Sequence, residues 1–285
     1  MSNLLRLLRV KNYIKNLLIF LPFIFAGLIE TFDSNYVTML IGFIAFCFAS
    51  SFIYIINDYV DIEKDRLHPK KCNRPLASGA IKPSTAIVIV IILTLAMLGI
   101  MFYLRNLSAL IWIGIYIVLN ILYSLWLKKI PVVDITVLSL FFVIRIYYGA
   151  ALINVPVSIY LFMTVFFVAL MMGANKRKKE KTTSESCRDT LSLYSDDFLS
   201  KLSWISMGLG IAFYAIWIIS GTNTLINHAV MVISIVFVFF ILVDYQYTLE
   251  KTDDGNPVDL LLSNKSLLLS SIAYVILMIV GFLLK

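Results

Sequence analysis

The sequence contains few of the residues that build disulfide frameworks or histidine-based metal centres. Its three cysteines, Cys47, Cys72 and Cys187, form no C-x-x-C pair and have no zinc-ligand spacing. The two histidines, His68 and His228, are too few for a histidine-based centre. No Ser/His/Asp triad and no glycine-rich phosphate loop is present either. These absences argue against zinc enzymes, serine hydrolases and P-loop proteins.

Charged residues are also scarce. They make up 14% of the 285 residues, whereas 60% are hydrophobic and the mean hydropathy is +0.91. Such a composition excludes a soluble domain and indicates a polytopic membrane protein. The net charge of +7 does not indicate nucleic-acid binding, because the basic residues lie in short segments between apolar runs. That distribution is typical of the positive-inside rule.

Apolar runs of about 20 residues, the length that spans a bilayer, predict nine transmembrane helices. The predicted spans are 14–30, 36–57, 84–104, 107–127, 133–153, 156–175, 202–221, 227–246 and 266–284. With a cytoplasmic N-terminus, nearly all of the 24 lysines and arginines fall on the cytoplasmic side. We therefore predict an all-α polytopic membrane protein whose chemistry takes place at its cytoplasmic face.

The chain is expected to form a single integral-membrane domain over 1–285 with three notable segments. Residues 1–16 mix leucines with basic residues, which predicts an amphipathic helix on the cytoplasmic leaflet rather than a signal peptide. Residues 58–83 form a charged loop and are the predicted catalytic segment. Residues 176–201 form a basic and polar cytoplasmic loop.

The charged loop begins with three acids, Asp58, Asp61 and Asp65, at spacing i, i+3, i+7. If the helix continues through them, all three carboxylates lie on one face. Three such carboxylates repel one another unless a cation binds among them, and hard oxygen ligands suit Mg²⁺, with Mn²⁺ as an alternative. The bases that follow could bind phosphate charge. The competing interpretation is a charged loop that only connects two membrane helices.

Further charged or polar residues lie near other predicted cytoplasmic ends. They are Tyr123, Lys128, Asp134, Arg145, Lys176 and Arg177. An acid or an arginine within a span is costly without a partner, so Arg145 predicts either a structural pair with an acid or an anion-binding site. The acids Asp253, Asp254 and Asp259 indicate turn chemistry or a third metal site.

The motif N-D-x-x-D-x-x-x-D from Asn57 to Asp65 resembles the first aspartate motif of the UbiA-type intramembrane prenyltransferase superfamily. The combination of further motifs resembles its decaprenyl-phosphate phosphoribosyltransferase branch. These motifs are D-R-x-H-P-x-K from Asp65, R-V-K-N-Y-I-K-N-L-L-I-F from Arg9, Y-S-x-x-L-K from Tyr123, P-V-x-D ending at Asp134, R-x-x-x-G from Arg145 to Gly149, and K-R-x-x-E from Lys176. The second D-x-x-x-D motif of many members is incomplete here, because Leu138 stands four residues after Asp134.

This resemblance implies a Mg²⁺-dependent transfer of 5-phosphoribose from phosphoribosyl pyrophosphate to a polyprenyl phosphate. The product would be polyprenyl-phosphoryl-ribose 5-phosphate, and pyrophosphate would leave. By resemblance, Asn57, Asp58, Asp61 and Asp65 hold the metal; Arg66, Lys71 and Arg74 bind donor phosphates; and Lys15, Tyr123, Lys128, Asp134, Arg145, Lys176 and Arg177 complete the substrate site. The implied location is a bacterial-type inner membrane, and the sequence leaves an oligomer open.

Two other functions compete with this one. A UbiA-type aromatic prenyltransferase would ionise a prenyl diphosphate at the same metal cluster, but it would need fewer phosphate-binding bases than this loop carries. A small transporter would use the acids as ion ligands, yet transporter acids lie near the middle of the membrane. Here the acids lie near one surface.

Overall fold

The computed structural model describes residues 2–26, 28, 34–69, 71–182, 189–220, 228–252 and 257–283. These residues form helices and the turns between them, so the all-helical prediction is confirmed. The α-helices are α1 Asn3–Leu7, α2 Leu21–Phe25, α3 Ser34–Val60, α4 Ile62–Arg66, α5 Pro83–Leu104, α6 Leu107–Leu125, α7 Val133–Leu152, α8 Ile159–Thr182, α9 Asp196–Ile219, α10 His228–Lys251, α11 Pro257–Ser263 and α12 Lys265–Leu283. Short 3₁₀ segments cover Val10–Phe20, Lys71–Asn73, Leu127–Lys129 and Asp189–Leu193.

Seven of the described helices, α3 and α5 to α10, are long and apolar enough to cross a membrane. They correspond to seven of the nine predicted spans. An eighth predicted span matches α12, whose apolar stretch is shorter. The first predicted span, 14–30, is not a single helix in its described part. It is a 3₁₀ segment followed by α2, and the change occurs next to Pro22, which is tolerated in the first turn of a helix but not in its interior.

The N-terminal segment also differs from the single amphipathic helix that we expected over 1–16. Helix α1 ends at Leu7, and Arg9 adopts a left-handed conformation with φ of 52° before the 3₁₀ segment begins. Leu7 and Asn16 are buried. A conformation with positive φ interrupts a right-handed helix, so the segment bends there instead of continuing as one rod.

The chain divides into two compact units. The first comprises Met1–Ile24, Leu28–Lys128 and Ile144–Pro156, and the second comprises Phe25–Gly27, Lys129–Val143 and Val157–Lys285. Helix α7 therefore gives its first half to the second unit and its second half to the first. The single domain that we expected remains a prediction.

In the first unit, α3 is the central helix and packs along α5. Leu7, Ile55, Leu76, Ala86 and Leu93 form a buried cluster that joins the N-terminus, α3, the loop before α5, and α5 itself. In the second unit, α8 packs along α9, and α10 packs along α12. The buried cluster there includes Met171, Met207, Leu242, Leu249 and Leu267. Burial of these apolar side chains stabilises each unit.

Gly149 allows the 3₁₀ segment to lie directly against α7 in the first unit. A Cβ atom at Gly149 would lie 1.9 Å from the backbone oxygen of Ile19. Backbone atoms cannot move aside as a flexible side chain can. The two segments could therefore not pack this closely if residue 149 carried a side chain.

We predict that Gly149→Ala lowers the free energy of unfolding by about 1–3 kcal/mol, because overpacking forces the backbone apart. Gly99→Ala is the matched control, since a Cβ there meets nothing within 4 Å. The thermal unfolding midpoint of the purified protein in detergent measures both changes. Equal midpoints for the two variants would contradict the close packing at Ile19.

Candidate functional site

Two buried carboxylates of the first acidic motif share one arginine. Arg74 Nη1 lies 3.0 Å from Asp58 Oδ1 and 2.6 Å from Asp65 Oδ2. Arg9 Nη2 approaches Asp58 Oδ1 to 2.5 Å. Asp58 and Asp65 are only 2% and 5% exposed, whereas both arginines are partly exposed. The result is an inner pair of acids neutralised by an outer pair of guanidinium groups.

The local backbone explains why Asp58 and Asp65 meet. Helix α3 ends at Val60 and α4 starts at Ile62, but helical hydrogen bonds continue across the junction. The Asp61 backbone N–H donates to the Asn57 backbone carbonyl at 3.0 Å. The Asp65 backbone N–H donates to the Asp61 backbone carbonyl at 2.8 Å. Seven residues are about two helical turns, so Asp58 and Asp65 stay on one side.

The prediction that Asp61 lies on the same face as Asp58 and Asp65 stays a prediction. Asp61 lies half-buried at the junction between the two helices. Within the described residues, no group of three or more His, Cys, Asp and Glu side chains lies close enough to hold a metal ion. The set of Asn57, Asp58, Asp61 and Asp65 as metal ligands therefore stays a prediction.

The carboxylate oxygens of Asp58 and Asp65 are nevertheless suitable ligands for a hard cation. Asp58 and Asp65 place carboxylate oxygens within 3.0 Å of one positively charged nitrogen, and such oxygens are the ligands that Mg²⁺ prefers. The Asn57 side chain is held close by, because Ser124 Oγ donates to its Oδ1 at 3.0 Å. A divalent cation at the acids would compete with Arg74 for the same oxygens.

The other predicted donor-binding bases are held by different partners. Arg66 pairs with Glu63 at 2.9 Å, and its Nε donates to the Ala77 oxygen at 3.3 Å. The contact at Lys71 involves its backbone, whose N–H donates to His68 Nδ1 at 3.3 Å. Arg74 alone of this group contacts the buried acids. Sequence reasoning missed Arg9 as a site residue, because its left-handed backbone conformation and its contact with Asp58 depend on the fold.

Arg145 is buried in the half of α7 that belongs to the first unit. Its Nε donates to Asn16 Oδ1 at 2.9 Å. Its guanidinium carbon lies 5.3 Å from the ring centres of both Phe46 and Tyr116, within the range of cation–π attraction. Asn16 also donates to Ser50 Oγ at 3.3 Å. These contacts join α7, α3, α6 and the N-terminal segment around one cation.

Among the described residues of the second unit, Asp134 and Arg177 form the most deeply buried ion pair. Arg177 Nε lies 2.7 Å from Asp134 Oδ2, and the side chains are 1% and 0% exposed. Arg177 Nη1 also lies 2.5 Å from Glu180 Oε2. The partner that an acid at this position requires is therefore Arg177, which lies 43 residues further along the chain.

Tyr194 completes this second cluster and was not predicted. Its hydroxyl donates to Asp134 and accepts from the Val132 N–H at 2.6 Å. Burial, and then the hydrogen bond to Asp134, raise the pKa of the Tyr194 hydroxyl well above its usual range. Tyr194 therefore stays protonated and remains a donor. Val132 has a φ of 66°, a strained conformation for a β-branched residue, and the Tyr194 contact helps to hold it.

The remaining predicted residues fall into the two units separately. Tyr123 is buried, and Lys15 and Lys128 are half-buried, all in the first unit. Lys176 belongs to the second unit and lies 3.8 Å from Glu180. The proposed acids Asp253 and Asp254 lie outside the described residues, and Asp259 lies in the first turn of α11.

Seven apolar helices of membrane-spanning length and the buried acid–arginine clusters define an all-helical integral membrane protein. The UbiA prenyltransferase family profile matches residues 17–272, and the chain belongs to this family.

Comparisons with individual proteins agree with this assignment. A decaprenyl-phosphate phosphoribosyltransferase from Corynebacterium glutamicum is 28% identical over 282 residues, covering 96% of this chain and 85% of the relative. Its counterpart from Mycolicibacterium smegmatis is 28% identical over 226 residues, covering 77% of this chain and 71% of that relative. The solved structure of a UbiA homolog from Archaeoglobus fulgidus bound to GPP and Mg²⁺ has a TM-score of 0.74 at 18% identity and covers 99% of both chains. It supports the fold.

We predict that Arg177→Met lowers the free energy of unfolding by about 3–5 kcal/mol, because it leaves the Asp134 charge buried without its main partner. Adding Asp134→Asn removes that charge and keeps an acceptor for Tyr194. The double variant should regain about half of the loss or more. Denaturation of the two variants and the wild type in detergent provides the measurement. A double variant no more stable than Arg177→Met would show that the buried charge is not the cause.

Proposed function

We propose that this chain transfers 5-phosphoribose from phosphoribosyl pyrophosphate to a polyprenyl phosphate. Two relatives that align along most of the chain are named decaprenyl-phosphate phosphoribosyltransferase. The observation that carries the proposal is the arrangement of Arg9 and Arg74 around Asp58 and Asp65. This arrangement combines ligands for a divalent cation with cations for phosphate oxygens, which is what a metal-bound diphosphate donor requires.

Asp58 and Asp65, with Asn57 and Asp61, would hold Mg²⁺, and Mn²⁺ is an alternative. A divalent cation in this position supplies positive charge that stabilises a leaving pyrophosphate. Mg²⁺ is bound in the solved structure of the Archaeoglobus fulgidus homolog, which supports a metal requirement in the family. Arg74, once released by the acids, and Arg9 would then bind phosphate oxygens, together with Arg66 and Lys71.

The acceptor needs orientation more than activation. A phosphate monoester is anionic at neutral pH, so one of its oxygens can attack the anomeric carbon without a general base. The bond from this carbon to the pyrophosphate oxygen breaks as the new carbon–oxygen bond forms, and pyrophosphate leaves with the electron pair. We assign orientation of the lipid phosphate to Lys15, Lys128 and Arg145. Tyr123, Lys176 and Arg177 complete the substrate site, and Asp134 is a positioning residue that holds Arg177.

The basic segments support a cytoplasmic N-terminus and an active site that opens to the cytoplasm. This side is where a soluble phosphoribosyl donor would be available. The polyprenyl acceptor would come from a bacterial-type inner membrane. We also propose that the two compact units act as a single catalytic domain.

A prenyltransferase that uses a prenyl diphosphate is the second candidate. GPP is bound in the Archaeoglobus fulgidus homolog, and the family is described as a prenyltransferase family. Two partly exposed arginines beside the acids favour the more highly phosphorylated donor. A transporter remains the third candidate and would turn over neither donor.

The decisive experiment supplies purified protein in detergent with Mg²⁺, polyprenyl phosphate and phosphoribosyl pyrophosphate labelled in the ribose. We expect label in the organic phase, and we expect Asp58→Asn or EDTA to reduce it at least about 100-fold, since a metal-stabilised leaving group contributes several kcal/mol. Turnover of a prenyl diphosphate with an aromatic acceptor, and no labelled lipid, would favour the second candidate. No product in either assay would favour the transporter.

The contacts of Arg9 and Arg66 predict different effects on the transfer reaction when each is replaced. Arg9→Ala should reduce transfer about tenfold or more, because a charge-assisted contact near the buried acids is lost. Arg66→Ala is the comparison and should reduce transfer less, since Arg66 pairs with the exposed Glu63 and not with the buried acids. Initial rates at several donor concentrations provide the measurement. A larger effect at Arg66 than at Arg9 would argue against the arrangement at Asp58.

A further inference from the structure

A polar cavity of about 200 Å³ lies in the second unit where the ends of α8, α9 and α10 meet. Its floor is formed by three buried polar side chains, Asn175, Ser203 and Gln246. Two lysines, Lys178 and Lys179, line the same cavity. Its remaining lining includes Trp204, Leu249 and Glu250. Neither the family motifs nor the proposed transfer reaction accounts for this cavity.

The cavity is separate from the Arg177 cluster on the same helix. Residues two positions before and after Arg177 on α8 are Asn175 and Lys179. Two residues correspond to about 200° of helical rotation, so both project from the side opposite Arg177. Arg177 forms ion pairs with Asp134 and Glu180, whereas Asn175 donates a hydrogen bond to Gln246 on α10.

The floor offers hydrogen-bond donors that the protein does not use. Asn175 Nδ2 donates to Gln246 Oε1 at 3.0 Å, and Gln246 Nε2 donates to Ser203 Oγ at 2.5 Å. An amide nitrogen carries two hydrogens and a hydroxyl carries one. Among the described residues, no acceptor takes the Ser203 hydroxyl hydrogen or the second hydrogen of either amide. Three donors are therefore available in a buried position.

Surplus donors in a cavity that is also lined by two lysines suit an oxyanion. Phosphate presents several acceptor oxygens and negative charge, so it can accept from the floor and pair with Lys178 and Lys179 at once. Glu250 adds one acceptor at the same cavity and would suit a hydroxyl group attached to the phosphate. Each further hydrogen bond made by these buried groups is favourable, which gives binding a physical benefit.

We propose that this cavity binds the phosphate of an acidic phospholipid that carries a hydroxylated headgroup, such as phosphatidylglycerol. The three helices around it are membrane-spanning in length and composition, so a lipid headgroup meets their ends. Trp204 is 49% exposed, and an exposed tryptophan near a helix end is typical of the membrane–water interface. A bound lipid would join α8, α9 and α10 and stabilise the second unit.

The test measures thermal unfolding and native mass spectra of the full chain in detergent, with added phosphatidylglycerol or phosphatidylcholine. We expect phosphatidylglycerol to be retained and to raise the unfolding midpoint. The double variant Lys178→Ala/Lys179→Ala should weaken the apparent affinity at least about tenfold. Lys201→Ala/Lys251→Ala is the matched control, because it removes two lysines that lie outside the cavity lining.

Two further measurements, a charge-preserving variant and inorganic phosphate in place of lipid, complete the test. Lys178→Arg/Lys179→Arg preserves the charge and should retain the lipid, which separates charge loss from misfolding. Inorganic phosphate in place of lipid tests the other source of the same chemistry: if phosphate alone gives a shift that depends on Lys178 and Lys179, the ligand is soluble and the lipid assignment is overturned. Equal phosphatidylglycerol binding by both alanine double variants would overturn the site itself.

Discussion

A charge buried among membrane helices needs a partner, most often a group of opposite charge, and this requirement organises both units. Asp58 and Asp65 are matched by Arg9 and Arg74, and Asp134 is matched by Arg177. The partners come from distant parts of the chain. Arg9 lies at the bend of the N-terminal segment, and Arg74 lies on the loop that folds back before α5. In the first unit, two irregular segments of the backbone therefore each bring a guanidinium to a buried carboxylate.

At Arg145, neutral groups also take part in holding a buried charge. Its guanidinium contacts Asn16 and two aromatic rings, so polar and π-electron partners surround it. Gly149 follows one helical turn later and meets the backbone of the same N-terminal segment at Ile19. Residues four apart share a helix face, so one face of α7 binds this segment by a hydrogen bond and by close packing. The R-x-x-x-G motif thus has a structural explanation in addition to its proposed role in substrate binding.

Eight of the nine predicted spans match described helices, because hydropathy over about 20 residues is a local property. The segment before α3 could not be predicted in this way, since its 3₁₀ conformation reflects packing against α3 and the break at Pro22. The acid spacing correctly predicted that Asp58 and Asp65 share a side. Arg9 and Tyr194 were missed because their partners lie 49 and 60 residues away, and nothing in the local pattern indicates such contacts. The cost of burying Asp134 predicted a partner but not which one.

The paired arginines also bear on how a charged donor could enter the site. The two acids and two guanidinium groups sum to no net charge, which makes the ligand-free site tolerable beside a membrane. A diphosphate donor that arrives with a divalent cation brings both negative and positive charge into the site. The acids would then bind the metal in place of Arg74, and the arginines would bind phosphate oxygens in place of carboxylates, so that each of these four side chains keeps a partner of opposite charge. Under the proposed function, the same ion pairs that stabilise the empty site would prepare it to bind its substrate.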